Sequence, residues 1–313
     1  LMRFLWDNFP VVIIWVTGLS MLETALHTVD PPLMQAAWLS LVPLTAAFIL
    51  LWFASQKKGV LTFLAWSLVL TAGYAVSLSH HTTVSLSIEA HRSIYEASVF
   101  IEFILVLLHA RTWLRKHDWA WIFGITLLFG MILENGGIFT GFFREDGYLL
   151  YVPGLPAPAA TMLGWVNVLY CGFFAVERIL NGMKPFWRGL TCAGIALSMD
   201  IPFDPVAARL SWWVWNRELT MSVWGVPAVN YVAWFWALFP YAWCYYRVRM
   251  LKGVSEGRKM ALLSALIPLI LVLELGGVVL TLKILGDQGA LEIVRRFFTF
   301  PRGSHDRGLH ILW

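Results

Sequence analysis

MALLSALIPLILVLELGGVVLTLKIL (260–285) holds two ionisable side chains, Glu274 and Lys283, in an otherwise apolar run. Apolar stretches beyond about 18 residues read as membrane-spanning helices, and the pattern recurs along the chain. Spans are expected near 9–27, 32–54, 59–79, 94–114, 119–140, 159–180, 187–203, 226–247 and 260–285, eight of them clear and one weaker. Composition agrees. The 313 residues are 59% hydrophobic and 13% charged, with a mean hydropathy of +0.68, whereas soluble domains carry about 25% charged residues. The fold class that follows is all-α: a polytopic integral membrane bundle of about eight to nine transmembrane helices. A single transmembrane domain covers 1–313, with no soluble domain, low-complexity linker or clear internal repeat.

Loop charge orients this bundle. Lys57 and Lys58 follow the second span, and Arg111, Arg115 and Lys116 the fourth. Arg178, Lys184 and Arg188 follow the sixth, and Arg247, Arg249, Lys252, Arg258 and Lys259 the eighth. Basic clusters after every second span place those loops and the N-terminus in the cytoplasm. The tail departs from the rule. Arg295, Arg296, Arg302 and Arg307 would lie outside after nine spans, so either the last segment is re-entrant or the tail is an amphipathic surface piece. The first apolar segment lacks a small-residue cleavage site and reads as an anchor. The net charge of +4 belongs to the basic loops and gives no reason to expect nucleic acid. Cys171, Cys192 and Cys244 are dispersed in apolar segments and read as packed thiols.

The unusual polar residues then gather on the non-cytoplasmic side: HHTTVSLSIEAHR (80–92), ENGGIFTGFF (134–143), MDIPFDPVAARLSWWVWN (199–216) and VWGVPAVNY (223–231). An ionisable group within a span costs about 2.5–3.5 kcal/mol, so each needs a reason. Glu177 beside Arg178 is explained by snorkelling, and Glu23 with His27 by pairing across one helix face. Glu274 is expected to bond a neighbouring helix. Glu102 and Glu274 would be proton relays if the chain were a transporter, a reading weakened by the lack of a visible inverted repeat.

Glu134 and Asp200 stand apart. Gly136, Gly137 and Gly141 follow the first and allow close approach of backbone to a ligand or a helix. Around the second, Pro202 and Pro205 are expected to break the helix, which is tolerated at membrane depth where it lines a cavity. Asp204 before Pro205 also has the makings of an N-cap. Trp212, Trp213, Trp215 and Trp224 surround this loop, with Tyr231, Trp234 and Trp236 beyond. An interfacial belt accounts for many tryptophans. Yet a carboxylic acid in an apolar, aromatic pocket keeps its proton near neutral pH, and aromatic faces stabilise a cation. That combination suits proton-initiated chemistry on an isoprenoid alkene.

His80, His81, Glu89 and His91 form the one dense set of potential metal ligands. Eight scattered histidines and no HExxH point to a polar loop, and no metal is expected. Neither a glycine-rich phosphate loop nor a DDxxD pair is present, which argues against a prenyl-diphosphate transferase.

Several of these residues fall in a familiar order. Glu134 with Gly136, Gly137, Gly141, Phe142 and Phe143 is followed by Tyr148, Tyr151, GLPAP (154–158) and Trp165. Asp200 and Asp204–Pro205 come next, then Trp213 and Trp215, then Gly225–Val226–Pro227 with Asn230 and Trp234. The series resembles the motif of the carotenoid-biosynthesis membrane hydratases, the group of gamma-carotene 1'-hydroxylase and bisanhydrobacterioruberin hydratase, over about 130–240. REDG (144–147) and the paired histidines are additions to it.

The resemblance implies cofactor-free addition of water to the terminal isopropylidene double bond of an acyclic carotenoid. Asp200 or Asp204 would donate the proton and Glu134 would position or deprotonate the water. Trp213, Trp215 and Tyr148 would wall the cation, with Tyr151, Asn230 and Trp234 completing the substrate contacts. The partners implied are a lipid-soluble isoprenoid or carotenoid and the membrane lipids. A second reading stays open: a non-catalytic pigment-binding subunit of a larger membrane complex, which would need no acid that changes protonation state.

Overall fold

The computed structural model describes residues 2–17, 87–114, 118–180, 182–216, 219 and 221–298. The spans expected at 32–54 and 59–79, the pairing of Glu23 with His27, and the His80/His81 stretch lie outside these residues.

The described elements are α1 (Met2–Asp7), a helical run at 9–17, α2 (Ile88–Trp113), α3 (Asp118–Thr140), β1 (Phe143–Arg144), α4 (Ala159–Ile179), α5 (Pro185–Arg209), β2 (Val214–Trp215), β3 (Ser222–Val223), β4 (Val226–Pro227), α6 (Ala228–Arg249), α7 (Glu256–Leu285) and α8 (Gln288–Phe298). Among the described residues, α2, α3, α4 and α7 are long and apolar enough to cross a membrane. The chain is therefore a helical membrane protein. α5 and α6 are of similar length, with 25 and 22 residues, but hold more polar groups.

α5 makes its largest contact with α6, α6 continues onto α7, and α4 joins α5 to α2 and α3. Their common core is aromatic. Phe129 stacks on Tyr241 with ring centroids 4.3 Å apart, and Phe173 on Tyr245 at 4.1 Å. Gly189 lets the backbones of α5 and α6 approach, because a Cβ there would lie 2.8 Å from Trp243 N.

α5 differs from expectation. It runs unbroken through Pro202 and Pro205 to Arg209, so Asp204 lies inside the helix and caps nothing. The reason is energetic. A proline inside a helix costs about 3 kcal/mol, but a broken helix would strand several backbone groups in an apolar bundle at several kcal/mol each. Packing between α4 and α6 makes continuity the cheaper outcome.

Short loops close one end of the bundle. β1 pairs antiparallel with β2, Phe143 opposite Trp215. Glu96 of α2, buried, accepts from Leu149 N and Leu150 N at 2.9 Å each. Arg92 reaches Gly147 O at 3.1 Å and Ser211 O at 2.8 Å, tying both loops to α2. The helix ends opposite this roof carry Arg111, Arg178, Arg247 and Arg249. There Glu177 does not snorkel alone; it pairs with Arg188 at 3.3 Å and Arg249 at 3.5 Å. In the tail, α8 is amphipathic: Ala290, Ile293 and Val294 are buried and Arg295 and Arg296 exposed.

Candidate functional site

Under the loop roof lies a cavity of about 520 Å³ between α2, α3, α4, α5, α6 and α7, within the usual range for small-molecule pockets. Six carboxyl-bearing residues line it: Glu102, Glu134, Glu145, Asp200, Asp204 and Glu274. No Lys, Arg or His is among the described lining residues. The rest of the wall is largely aromatic and aliphatic.

Asp200 and Asp204 are one helical turn apart and so share a face of α5. Each is 3% exposed. Asn230, in the first turn of α6, donates its amide to Asp200 Oδ2 at 3.2 Å and also to Asp204 Oδ2. Asp200 Oδ1 has no hydrogen-bond partner among the described residues. A buried polar atom left unpaired costs on the order of 1–3 kcal/mol, so this oxygen is a place for a proton, a water molecule or a ligand.

Glu134 of α3 accepts from Trp165 Nε1 of α4. The Trp165 ring in turn stacks on Trp234 of α6, with centroids 4.3 Å apart and planes 17° apart. The glycines after Glu134 divide their roles. At Gly137 a Cβ would strike the Phe143 ring, so glycine there lets β1 fold back onto α3. Gly141, at φ +79°, ends the helix, and Gly136 lines open cavity.

Trp213 and Trp215 both line the cavity, as residues two apart on an extended segment should; Val214 between them is exposed. Neither indole N–H has a hydrogen-bond partner among the described residues. Trp215 also meets Phe143 edge to face at 5.3 Å.

Of the residues expected from sequence, Glu134, Asp200, Asp204, Trp213, Trp215, Asn230 and Trp234 come together around this one cavity. Tyr148 and Tyr151 do not line it. Tyr148 packs behind the wall with Ala207, Trp212 and Trp213, and Arg92 lies 5.7 Å from its ring centroid. Tyr151 is 39% exposed and donates its hydroxyl to Glu145 O at 2.9 Å. Glu274 lines the cavity and has no hydrogen bond to another helix among the described residues. Glu102 also lines it, beside Asn167 of α4.

Glu145 is the lining acid that sequence reasoning passed over. It is 5% exposed and accepts from Thr161 Oγ1 at 3.1 Å. Burial first, then the neighbouring Glu134, pushes its carboxyl well above the usual carboxylate range. Its neighbours Arg144 and Asp146 form an exposed ion pair at 3.3 Å, and so the local sequence looks like an ordinary solvated loop.

No group of three or more His, Cys, Asp or Glu among the described residues is arranged to hold a metal ion. Fold and site together define a helical membrane protein with a buried, carboxyl-lined, aromatic chamber beneath one loop end. No protein-family model, curated protein or solved structure matches the chain.

Proposed function

We propose that the chain hydrates an isoprenoid alkene, adding water to the terminal isopropylidene double bond of an acyclic carotenoid. The observation that carries this reading is the Asp200–Asp204 pair, clamped by Asn230 and facing Glu134 around an apolar cavity with no basic residue among its described lining residues. Two carboxyls this close in an apolar setting share a proton, because two adjacent charges cannot both be supported there. Asp200 is the donor in this scheme, since its Oδ1 has no hydrogen-bond partner among the described residues. Protonation of the alkene CH carbon breaks the π bond and leaves a tertiary cation on the carbon that bears the two methyl groups. The faces of Trp213, Trp215, Trp165 and Trp234 stabilise that charge. Water forms the C–O bond and loses a proton to Glu134, and the proton returns to the aspartate pair through the cavity. No redox step occurs, and the chemistry needs no cofactor.

The same reading takes the nine-span topology with a cytoplasmic N-terminus, the roof facing the non-cytoplasmic side. The substrate then reaches the site from the lipid. The test is expression in a lycopene-producing bacterium and mass analysis of the pigments. A product heavier by one water supports hydration. An added oxygen without its hydrogens would point to oxidation, and unmodified pigment copurifying without turnover to a binding subunit.

A further inference from the structure

Thr161 and Trp165 lie four residues apart on α4 and so project from one face, about 5–6 Å apart at Cβ. Each donates to a different carboxyl: Thr161 Oγ1 to Glu145 Oε2 at 3.1 Å, and Trp165 Nε1 to Glu134 Oε1. The two acids arrive from different places, Glu134 from the last turns of α3 and Glu145 from the loop after β1. One helix face thus aligns them along the wall of the cavity that both line. The placement of Glu145 is itself secured. Tyr151 donates to its carbonyl oxygen, Glu96 holds the next backbone amides along the loop, and Arg92 holds Gly147. A loop that only closed the bundle would have no need to turn a carboxyl inward, where burial is costly.

We propose that Glu145 is a third acid of the site, forming with Glu134 a carboxyl pair that holds and deprotonates the attacking water. The inference rests on the hydratase reading and gives it a second half. The aspartate pair on α5 supplies the proton to carbon, and the glutamate pair receives the proton from water. Glu145 in its protonated form hydrogen-bonds the water oxygen, while ionised Glu134 takes the proton as the C–O bond forms. The charge balance is kept: one proton leaves Asp200 and one is gained by Glu134. The titratable groups that face Glu145 are Glu134 of α3, Asp204 of α5, Tyr95 of α2, and Tyr148 and Tyr151 of its own loop. None of these groups is a cation; the nearest described ones, Arg92 and Arg144, are engaged by Gly147 O with Ser211 O and by Asp146. Tyr151, expected from sequence to touch substrate, acts instead by positioning Glu145.

Two measurements test this. The first is hydration rate against pH for the full chain in membranes. Glu145→Gln is expected to lower kcat about 100-fold, the lower end of general acid–base contributions, with KM changed less than threefold. Thr161→Val, which removes the donor to Glu145, is expected to move the pH–rate profile while the chain stays folded. A purely structural Glu145 would lower the yield of folded protein and leave the profile of the remaining enzyme where it was, which overturns the proposal. If Glu145→Gln does not fold, an unmoved profile in Thr161→Val overturns it equally.

The second measurement needs no turnover. Infrared titration of the carboxylic C=O stretch in nanodiscs is expected to show a band that vanishes in Glu145→Gln and shifts in Glu134→Gln. Independent bands in the two variants overturn the pairing. A chain that makes no hydrated pigment yet shows coupled bands sinks the hydratase reading alone. One that hydrates with independent bands sinks only the pair.

Discussion

Trp165 and Trp234 stack 4.3 Å apart between α4 and α6, and the same Trp165 holds Glu134 through its indole N–H. One side chain therefore joins the packing of two helices to the orientation of Glu134, the acid proposed to handle water. The two roles separate in Trp165→Phe, which keeps a ring in the stack and loses the donor. Since a hydrogen bond to a charged group contributes about 1.5–3 kcal/mol, hydration is expected to fall roughly tenfold or more, with near-normal expression. Trp165→Ala should lose both. Pigment analysis beside a thermal melt distinguishes them.

Asp200→Asn and Asp204→Asn should each cost 100-fold or more in hydration, on the order of a general acid's contribution. Neither should unfold the chain, because the amide still meets Asn230 and relieves a crowded carboxyl pair. Full hydration by both variants would falsify the assignment of the proton donor.

Glu145 makes stability depend on pH in a defined direction. Its folded carboxyl titrates well above the ordinary range because it is buried beside Glu134. A group raised in this way contributes stability that is fully present below its unfolded value, about 4.3. That stability drains as pH rises through the folded value. Thermal melts in nanodiscs should therefore fall from acid toward alkaline pH, and Glu145→Gln should flatten the decline. An unchanged slope in that variant would mean other groups set it.

The loop roof hangs on two side chains of α2. Gly147 sits at φ +80°, and a Cβ there would collide with the Arg92 guanidinium. Gly147→Ala thus combines a left-handed backbone penalty of about 1–2 kcal/mol with displacement of Arg92. Glu96→Gln puts an NH₂ against a backbone N–H and removes one of two acceptors, at about 1–3 kcal/mol. Limited proteolysis within 144–153 should quicken in both variants, while core helices resist. Loops cut no faster than in the native chain would count against this anchoring.

How much could be read in advance depended on whether the cause was local. The long apolar run at 260–285 needs only bilayer thickness to be understood, and it forms α7. Asp200 was marked out by a carboxyl set among prolines and tryptophans, and Trp213 with Trp215 by the resemblance, but the common face of Asp200 and Asp204 depends on α5 staying whole. The unbroken course of α5 was not legible, since proline is a local signal and the packing that overrides it comes from α4 and α6. Glu145 was hidden for a similar reason. Its partner Thr161 is sixteen residues away, and the charges on either side of it are solvated. Tyr148 and Tyr151 lie near the site in sequence and support its walls from behind.

A chamber whose described walls carry acids and no cation would, on the hydratase reading, also work as a filter. The molecules that crowd such a site most are the surrounding phospholipids and fatty acids, whose tails are as greasy as any polyene. Their phosphate or carboxylate heads would meet repulsion and no counter-ion, so the protein can leave its greasy mouth unguarded by shape. On that reading it would reject its own solvent by sign of charge.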